Sequence, residues 1–367
     1  MSFRIPWAKP MFTDRERRHV IEALESTWIS GGPYVDRLER EFTAHHGAPY
    51  GIAVSNGTTA LQVALLALGV GPGDEVIVPG YCFVAPGNMV IACGAQPVFV
   101  DIEADTWSVD VDAVATAITP RTRAIIAVHN YGNVCDLTAL RHVCDRAGVA
   151  LVEDVAESAF SKRDGQFAGT VGDLGCFSFQ ATKTITTGEG GFVLTPRQDL
   201  YDKMRTIRDH GMRRGKRYWH DEVGFNFRLT NLQAALGCAQ LEVLDQIIAE
   251  RGRVWRGYQS QLGGVAGVAL QHFQPGVEPV MWAVALRLDE RQFGARDGVI
   301  DKLAAAGIET RPGFYPFHVM PLYQRYGARP LAVAEEVGAR VISVPTFPAL
   351  TDEEIADVCT HLRELAT

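Results

Sequence analysis

The chain has 367 residues, with 35 basic and 43 acidic side chains and a formal net charge of −8. At 47% hydrophobic residues it is long enough to bury the cores of about two domains. An acidic balance without a basic stripe excludes the composition of a nucleic-acid binder.

In chain order, the opening MSFRIPWAKP lacks the apolar core of a secretory signal, and no uncharged run approaches membrane-spanning length. No membrane partner is expected. The first motif is VSNGTTALQVALLALG, residues 54–69. A short strand runs into Gly57 and Thr58 and then into an apolar helix over 59–68. The free N–H groups of such a helix start suit a phosphate monoester, although a plain helix cap has the same pattern. Compact apolar runs at 75–78, 96–100, 124–128 and 150–152 have the form of strands buried on both faces. Helical patterns over 83–92, 111–117 and 137–147 lie between them. This alternation predicts a mainly parallel sheet covered by helices.

The run over 150–152 ends in Glu153 and Asp154. A carboxylate at the carboxyl end of a parallel strand can pair with a protonated pyridine nitrogen, or equally cap the next helix. Lys183 follows in GDLGCFSFQATKTITTGEGGFVLT, residues 172–195, between an aromatic run and a turn containing Gly188, Gly190 and Gly191. Those glycines let backbone approach a ligand closely. A lone lysine there is usually a surface residue. With the phosphate cup and the carboxylate it completes what pyridoxal 5'-phosphate requires.

Arg213, Arg214, Lys216 and Arg217 form a basic cluster that suits either a diphosphate or a solvated loop. One long helix is predicted from near Thr230 towards Leu262, with Leu232, Leu236, Ala239, Leu244 and Ile248 at helical spacing. Beyond it come a strand over 280–288, a helix over 299–306, His318 in FYPFH and a strand over 341–345. Thr351 and Glu354 form a capping box for the last helix. The seven cysteines are scattered, with no CxxC pair. They suggest no metal centre and read as reduced thiols of a cytoplasmic protein.

The chain resembles the DegT/DnrJ/EryC1/StrS family of sugar aminotransferases over nearly its whole length. The resemblance lies in SNGTTAL (55–61), GDEVIVPG (73–80), CGAQPVFVDI (93–102), VEDVAES (152–158), FSFQATKTITTGEGG (177–191), GFNFRLTNLQAALGCAQLE (224–242) and RPGFYPFHVMPLY (311–323). STWISGG (26–32) and HDEVGFNFRLTN (220–231) are most similar to its perosamine-synthase-like branch. The resemblance implies an α/β, aspartate-aminotransferase-like fold (type I among pyridoxal-phosphate enzymes). It would have a large cofactor-binding domain over 1–245, built on a mixed, mainly parallel sheet, and a smaller α+β domain over 246–367. It implies amination of C4 of a nucleotide-linked 4-keto-6-deoxyhexose, glutamate as amino donor, and a homodimer with shared active sites.

The implied roles are as follows. Lys183 carries pyridoxal phosphate as a Schiff base, and Asp154 pairs with the ring nitrogen. Glu157 lies near the 3-hydroxyl, where many relatives have Gln, and Phe83 stacks on the ring. Gly57, Thr58 and Ser178 hold the phosphate, which Asn226 reaches from the second subunit, with Arg228 beside it. Asn130 and Asn133, and Gly80 and Cys82, depart from the branch's usual residues at positions expected near the sugar. Lys183 argues against the dehydratases of the family, which carry His there. Amination of a keto-cyclitol or other free ketone is the alternative within the same chemistry. A cofactor-bound regulator without turnover is the alternative outside it. No cysteine has an obvious mobile loop of the kind a desulfurase needs.

Overall fold

A computed structural model describes residues 3–327 and 329–366. The outermost residues of the two expected domains, 1, 2 and 367, lie outside the described set. The central sheet has seven strands: β1 (Tyr50–Val54), β2 (Glu75–Pro79), β3 (Gln96–Val100), β4 (Thr122–Val128), β5 (Ala150–Asp154), β6 (Leu174–Ser178) and β7 (Gly191–Thr195). Their order is β1-β7-β6-β5-β4-β2-β3. The strands from β6 across to β3 are parallel, and β7 is antiparallel to both β6 and β1.

Side chains alternate across this sheet, as the pleat requires. Ile125 and Ala127 of β4 enter one core, with Leu38 and Phe42 of the helix Pro33–His45 and Leu140 of Leu137–Ala147. Ala124, Ile126 and Val128 enter the other, with Leu61 of the helix Gly57–Ala67, Val90 of Ala85–Ala92 and Met204 of Gln198–Arg208. Phe42 gathers Phe160, Phe177, Phe179 and Phe192 at ring separations of 4.6–5.8 Å. Truncating a ring packed this way costs roughly 3–5 kcal/mol.

A second, antiparallel sheet joins Val268–Leu270, Val284–Leu288, Val341–Val344 and Arg311–Pro312 in that order. Val254, Tyr258 and Leu262 of the helix Leu244–Leu262 pack beneath it, with Ile355 and Leu362 of the last helix. The N-terminal stretch crosses to this unit: Ile5 is buried there and pairs with Ile308. Among the described residues no helix is long and apolar enough to cross a membrane.

The expected helix from Thr230 to Leu262 is two helices, Asn231–Glu242 and Leu244–Leu262, parted at Val243 with φ −116° and ψ 15°. The strand expected over 280–288 begins only at Val284. Val280 instead donates its N–H to Ser161 Oγ, and the Met281 and Trp282 carbonyls accept from Arg251.

Candidate active site

The carboxyl ends of β4, β5 and β6 open into a chamber of about 1000 Å³. The helix Gly57–Ala67 starts at its edge. Asn56 Oδ1 accepts the Thr59 N–H at 2.8 Å, and Thr59 Oγ1 accepts the Asn56 N–H at 3.1 Å. This capping box leaves the first two helical N–H groups, those of Gly57 and Thr58, without an intrahelical partner. The helix start abuts the end of β6 so closely that a Cβ on Gly57 would sit 2.6 Å from Ser178 Cβ. Two amides and the Ser178 hydroxyl converge there, a donor set that fits a phosphate monoester.

Strand alternation separates the two adjacent carboxylates of β5. Glu153 is wholly buried on the side away from the chamber. It accepts the N–H groups of Gly169, Val171 and Gly172 at 2.6–2.9 Å and meets His129 Nε2 at 3.0 Å. His129 Nδ1 in turn accepts the Cys135 N–H at 3.1 Å. Glu153 therefore organises the loop that precedes β6. Asp154 lines the chamber. Its Oδ1 accepts the Ala156 N–H at 3.0 Å, so it caps a turn as well as facing the cavity. Burial holds its carboxyl above the usual range, against the pull of the Ala156 N–H and of Lys183.

Glu157 lies one turn onward, also buried and lining the chamber. It accepts the Tyr131 N–H at 3.1 Å. That amide sits in a backbone of φ +57° at Tyr131, a left-handed conformation uncommon for an aromatic residue. Burial pushes the Glu157 carboxyl up to about 7, with Lys183 opposing and Asp154 reinforcing the rise.

Lys183 is recessed in the same chamber. Burial draws its amine below the ordinary lysine range, Glu157 and Asp154 oppose this, and Arg251 and Arg311 add to it. Its Nζ lies 3.8 Å from the Trp282 ring centroid. Trp282, Tyr131 and Phe314 form one wall, with near-parallel rings at 6.0 Å and 5.4 Å. The chamber thus gathers Gly57, Thr58, Phe83, Asp154, Glu157, Ser178 and Lys183. A phosphate-sized cup, a buried carboxylate and a recessed amine suit an electron-accepting pyridine aldehyde that carries a phosphate.

Phe83 stands at the chamber, 55% exposed as a residue and edge-on to Phe314 at 6.3 Å. Cys82 lines the cavity, whereas Gly80, Asn130 and Asn133 do not. Asn130 and Asn133 are buried and donate to backbone carbonyls, the first to Tyr81 and Trp107 and the second to Thr106 and His272. They bind loops together and do not line the chamber. Asn226 is not part of this chain's chamber. Its backbone bridges Asp209, to which Arg228 is ion-paired. Arg213 pairs with Asp221 at 2.6 Å and Arg214 with Asp202 at 3.2 Å. With Lys216 and Arg217 they line a separate cavity of about 430 Å³. His318 is buried against Glu335 at 2.6 Å, outside the chamber.

Trp7, Trp282, Arg311 and Phe314 also line the chamber. Arg311 and Phe314 fall within RPGFYPFHVMPLY but without an assigned role, and Trp7 and Trp282 lie outside every motif. Arg251 did leave a trace: it falls between Ile247 and Val254 on the apolar stripe of its helix, where a charge needs a reason.

The profile described as the DegT/DnrJ/EryC1/StrS aminotransferase family matches residues 10–363. The GDP-perosamine synthase of Caulobacter vibrioides is 42% identical over 364 residues, covering 99% of this chain and 98% of that protein. Among solved structures, S. venezuelae DesV in complex with a ketimine intermediate has a TM-score of 0.90 at 35% identity, covering 96% of this chain and 94% of that one. The putative sugar aminotransferase Spr1654 from Streptococcus pneumoniae, in its PLP-form, has a TM-score of 0.94 at 28% identity, covering 98% of each chain.

Proposed function

Because the chain belongs to the DegT/DnrJ/EryC1/StrS aminotransferase family, we propose that it transfers an amino group to C4 of a nucleotide-linked 4-keto-6-deoxyhexose. The enzyme is a pyridoxal-phosphate-dependent sugar aminotransferase. The observation that carries the assignment to this chamber is the convergence there of Lys183, Asp154 and the Gly57–Ser178 cup. The substrate class is inferred from the resemblance and from relatives that are GDP-perosamine synthases. Glutamate is the proposed amino donor.

When bound, pyridoxal phosphate supplies an electron-poor ring and an aldehyde carbon able to carry the amino group between substrates. The Gly57 and Thr58 N–H groups and the Ser178 hydroxyl would hold the phosphate. Asp154 would hold a proton on the ring nitrogen, Glu157 would serve the 3-hydroxyl, and Phe83 would cover the ring. Lys183 would hold the cofactor's aldehyde carbon through its amine and be freed when an amino donor takes its place. Its freed Nζ would take the donor's α-proton and pass it to the cofactor carbon that keeps the amino group. In the opposite half-reaction the same amine would take that proton back and deliver it to C4 of the sugar.

The seven cysteines are buried and unpaired, which supports a cytoplasmic setting. Residues 1–245 are read as the cofactor-binding domain and 246–367 as the smaller one, because the helix Leu244–Leu262 starts in a core of the central sheet, at Leu244 and Ile247, and continues beneath the second sheet, at Val254, Tyr258 and Leu262. The partner subunit's Asn226 is proposed to complete each phosphate site. Lys183→Ala tests the assignment: it should lose the visible absorbance of a lysine-linked cofactor and all multiple turnover. Sustained turnover in that variant would remove Lys183 from its role.

A further inference from the structure

Residues 280–283 leave the second sheet to meet Lys183, and two separate ties hold them there. Arg251 is buried in its helix, and no carboxylate among the described residues pairs with it. Its Nη1 donates to the Met281 and Trp282 carbonyls at 2.9 and 3.0 Å, and its Nη2 to the Lys183 carbonyl at 3.2 Å. One guanidinium therefore joins the backbone of Lys183 to that of Trp282. The second tie is the Trp282 Nε1–H, which donates to the Thr182 carbonyl at 3.0 Å. Trp7 packs edge-on against the indole at 5.3 Å, and Tyr131 lies parallel to it at 6.0 Å. The indole face is thereby fixed beneath the lysine amine, with Nζ 3.8 Å from its centroid. A desolvated ammonium over indole is among the strongest cation–π arrangements.

We propose that Trp282, clamped by Arg251, is the resting platform of the Lys183 amine whenever Lys183 is not bonded to the cofactor. The inference rests on Lys183 being the linking lysine. During transamination Nζ would take a proton from the donor's α-carbon and pass it to the cofactor carbon that keeps the amino group. The indole face holds the ammonium within reach through that interval, and no bond at Trp282 changes. Trp282 is thus a positioning residue that acts through Lys183. The charged groups facing the amine are Glu157, Asp154, Arg251 and Arg311. The ring adds to the two carboxylates in favouring the protonated form.

The test uses cofactor-free protein mixed with pyridoxal phosphate, following growth of the visible band against pH. Linking requires the neutral amine, so the pH midpoint of the rate reports how tightly Nζ holds its proton. Trp282→Phe and Trp282→Leu both delete the indole N–H, but only Phe keeps an aromatic face. Leu should lower the midpoint by about one pH unit, a tenfold change in proton affinity. Phe should lower it by less than half as much. Equal midpoints for Phe and Leu, whether native-like or shifted together, would overturn the platform. Trp282→Met supplies the same contrast if the Leu variant does not fold. A native protein that forms no band overturns the Lys183 assignment and the platform together, whereas native linking with equal Phe and Leu midpoints removes only the platform.

Discussion

Asp154 and Glu157 sit three residues apart in one buried turn, and burial raises both carboxyls. For Glu157 the consequence reaches neutral pH. Its carboxyl moves from 4.5 to about 7 on folding. Across that window the folded chain keeps a proton that the unfolded chain has released. Stability must therefore fall as pH rises through it, with an upper bound of roughly 3 kcal/mol from this group. Glu157→Gln should remove this part of the fall. Thermal unfolding of cofactor-free protein should show the variant gaining on the native chain steadily from pH 4.5 to about 7. Asp154 leaves a residual slope of the same sign. A difference between the two proteins that does not change with pH would mean that Glu157 is ionised in the fold.

At the scale of elements, the cup depends on how near a helix start can come to a strand end. Gly57→Ala would place a Cβ 2.6 Å from Ser178 Cβ and 3.2 Å from Ser178 Cα, atoms that cannot swing aside. The helix start must retreat and the donors spread. Cofactor affinity, read by titrating the visible band, should weaken about tenfold or more, the equivalent of losing about one good hydrogen bond to phosphate. Unchanged affinity would show that the phosphate lies elsewhere. The same closeness explains what was legible in the sequence. Gly57, Asp154 and Lys183 each end or follow a strongly apolar run, so local pattern placed them at strand ends. The helices Val111–Ala117 and Leu137–Ala147 and the Thr351 cap also appear where their spacing puts them. The run at 280–283 did not, because its apolar residues serve Arg251 and Lys183 instead of a strand. The break at Val243 was equally hidden, since both flanking helices keep apolar residues at helical spacing. Trp7 and Phe314 reach the chamber only through the second sheet and its N-terminal neighbour, a long-range arrangement that periodicity cannot express.

At the scale of the molecule, the surface carries apolar groups that a lone chain gains nothing by exposing. Trp28 is 65% exposed, Tyr218 73% and Val223 82%. The Trp28 and Ser30 carbonyls accept from Asn231, so the first of these lies beside the segment that contains Asn226. Exposed apolar groups of this kind suit a contact with a second copy. Mixing Lys183→Ala subunits with Asn226→Ala subunits under exchange conditions tests whether sites are shared. A mixed dimer would hold one site with both defects and one with neither, so activity should exceed the average of the two parents. No rise on mixing would confine each site to its own chain.

The central claim is that this chamber passes an amino group to a nucleotide-linked keto sugar. The most direct measurement is a half-reaction. The amine-loaded enzyme, prepared with glutamate and freed of it, is mixed with nucleotide-linked 4-keto-6-deoxyhexoses and, separately, with free keto-cyclitols, while the visible band of the lysine-linked cofactor is followed. Return of the band with a nucleotide-linked sugar, and not with the free ketones, is the predicted result. Return with a free ketone and with none of the nucleotide-linked sugars would contradict the account.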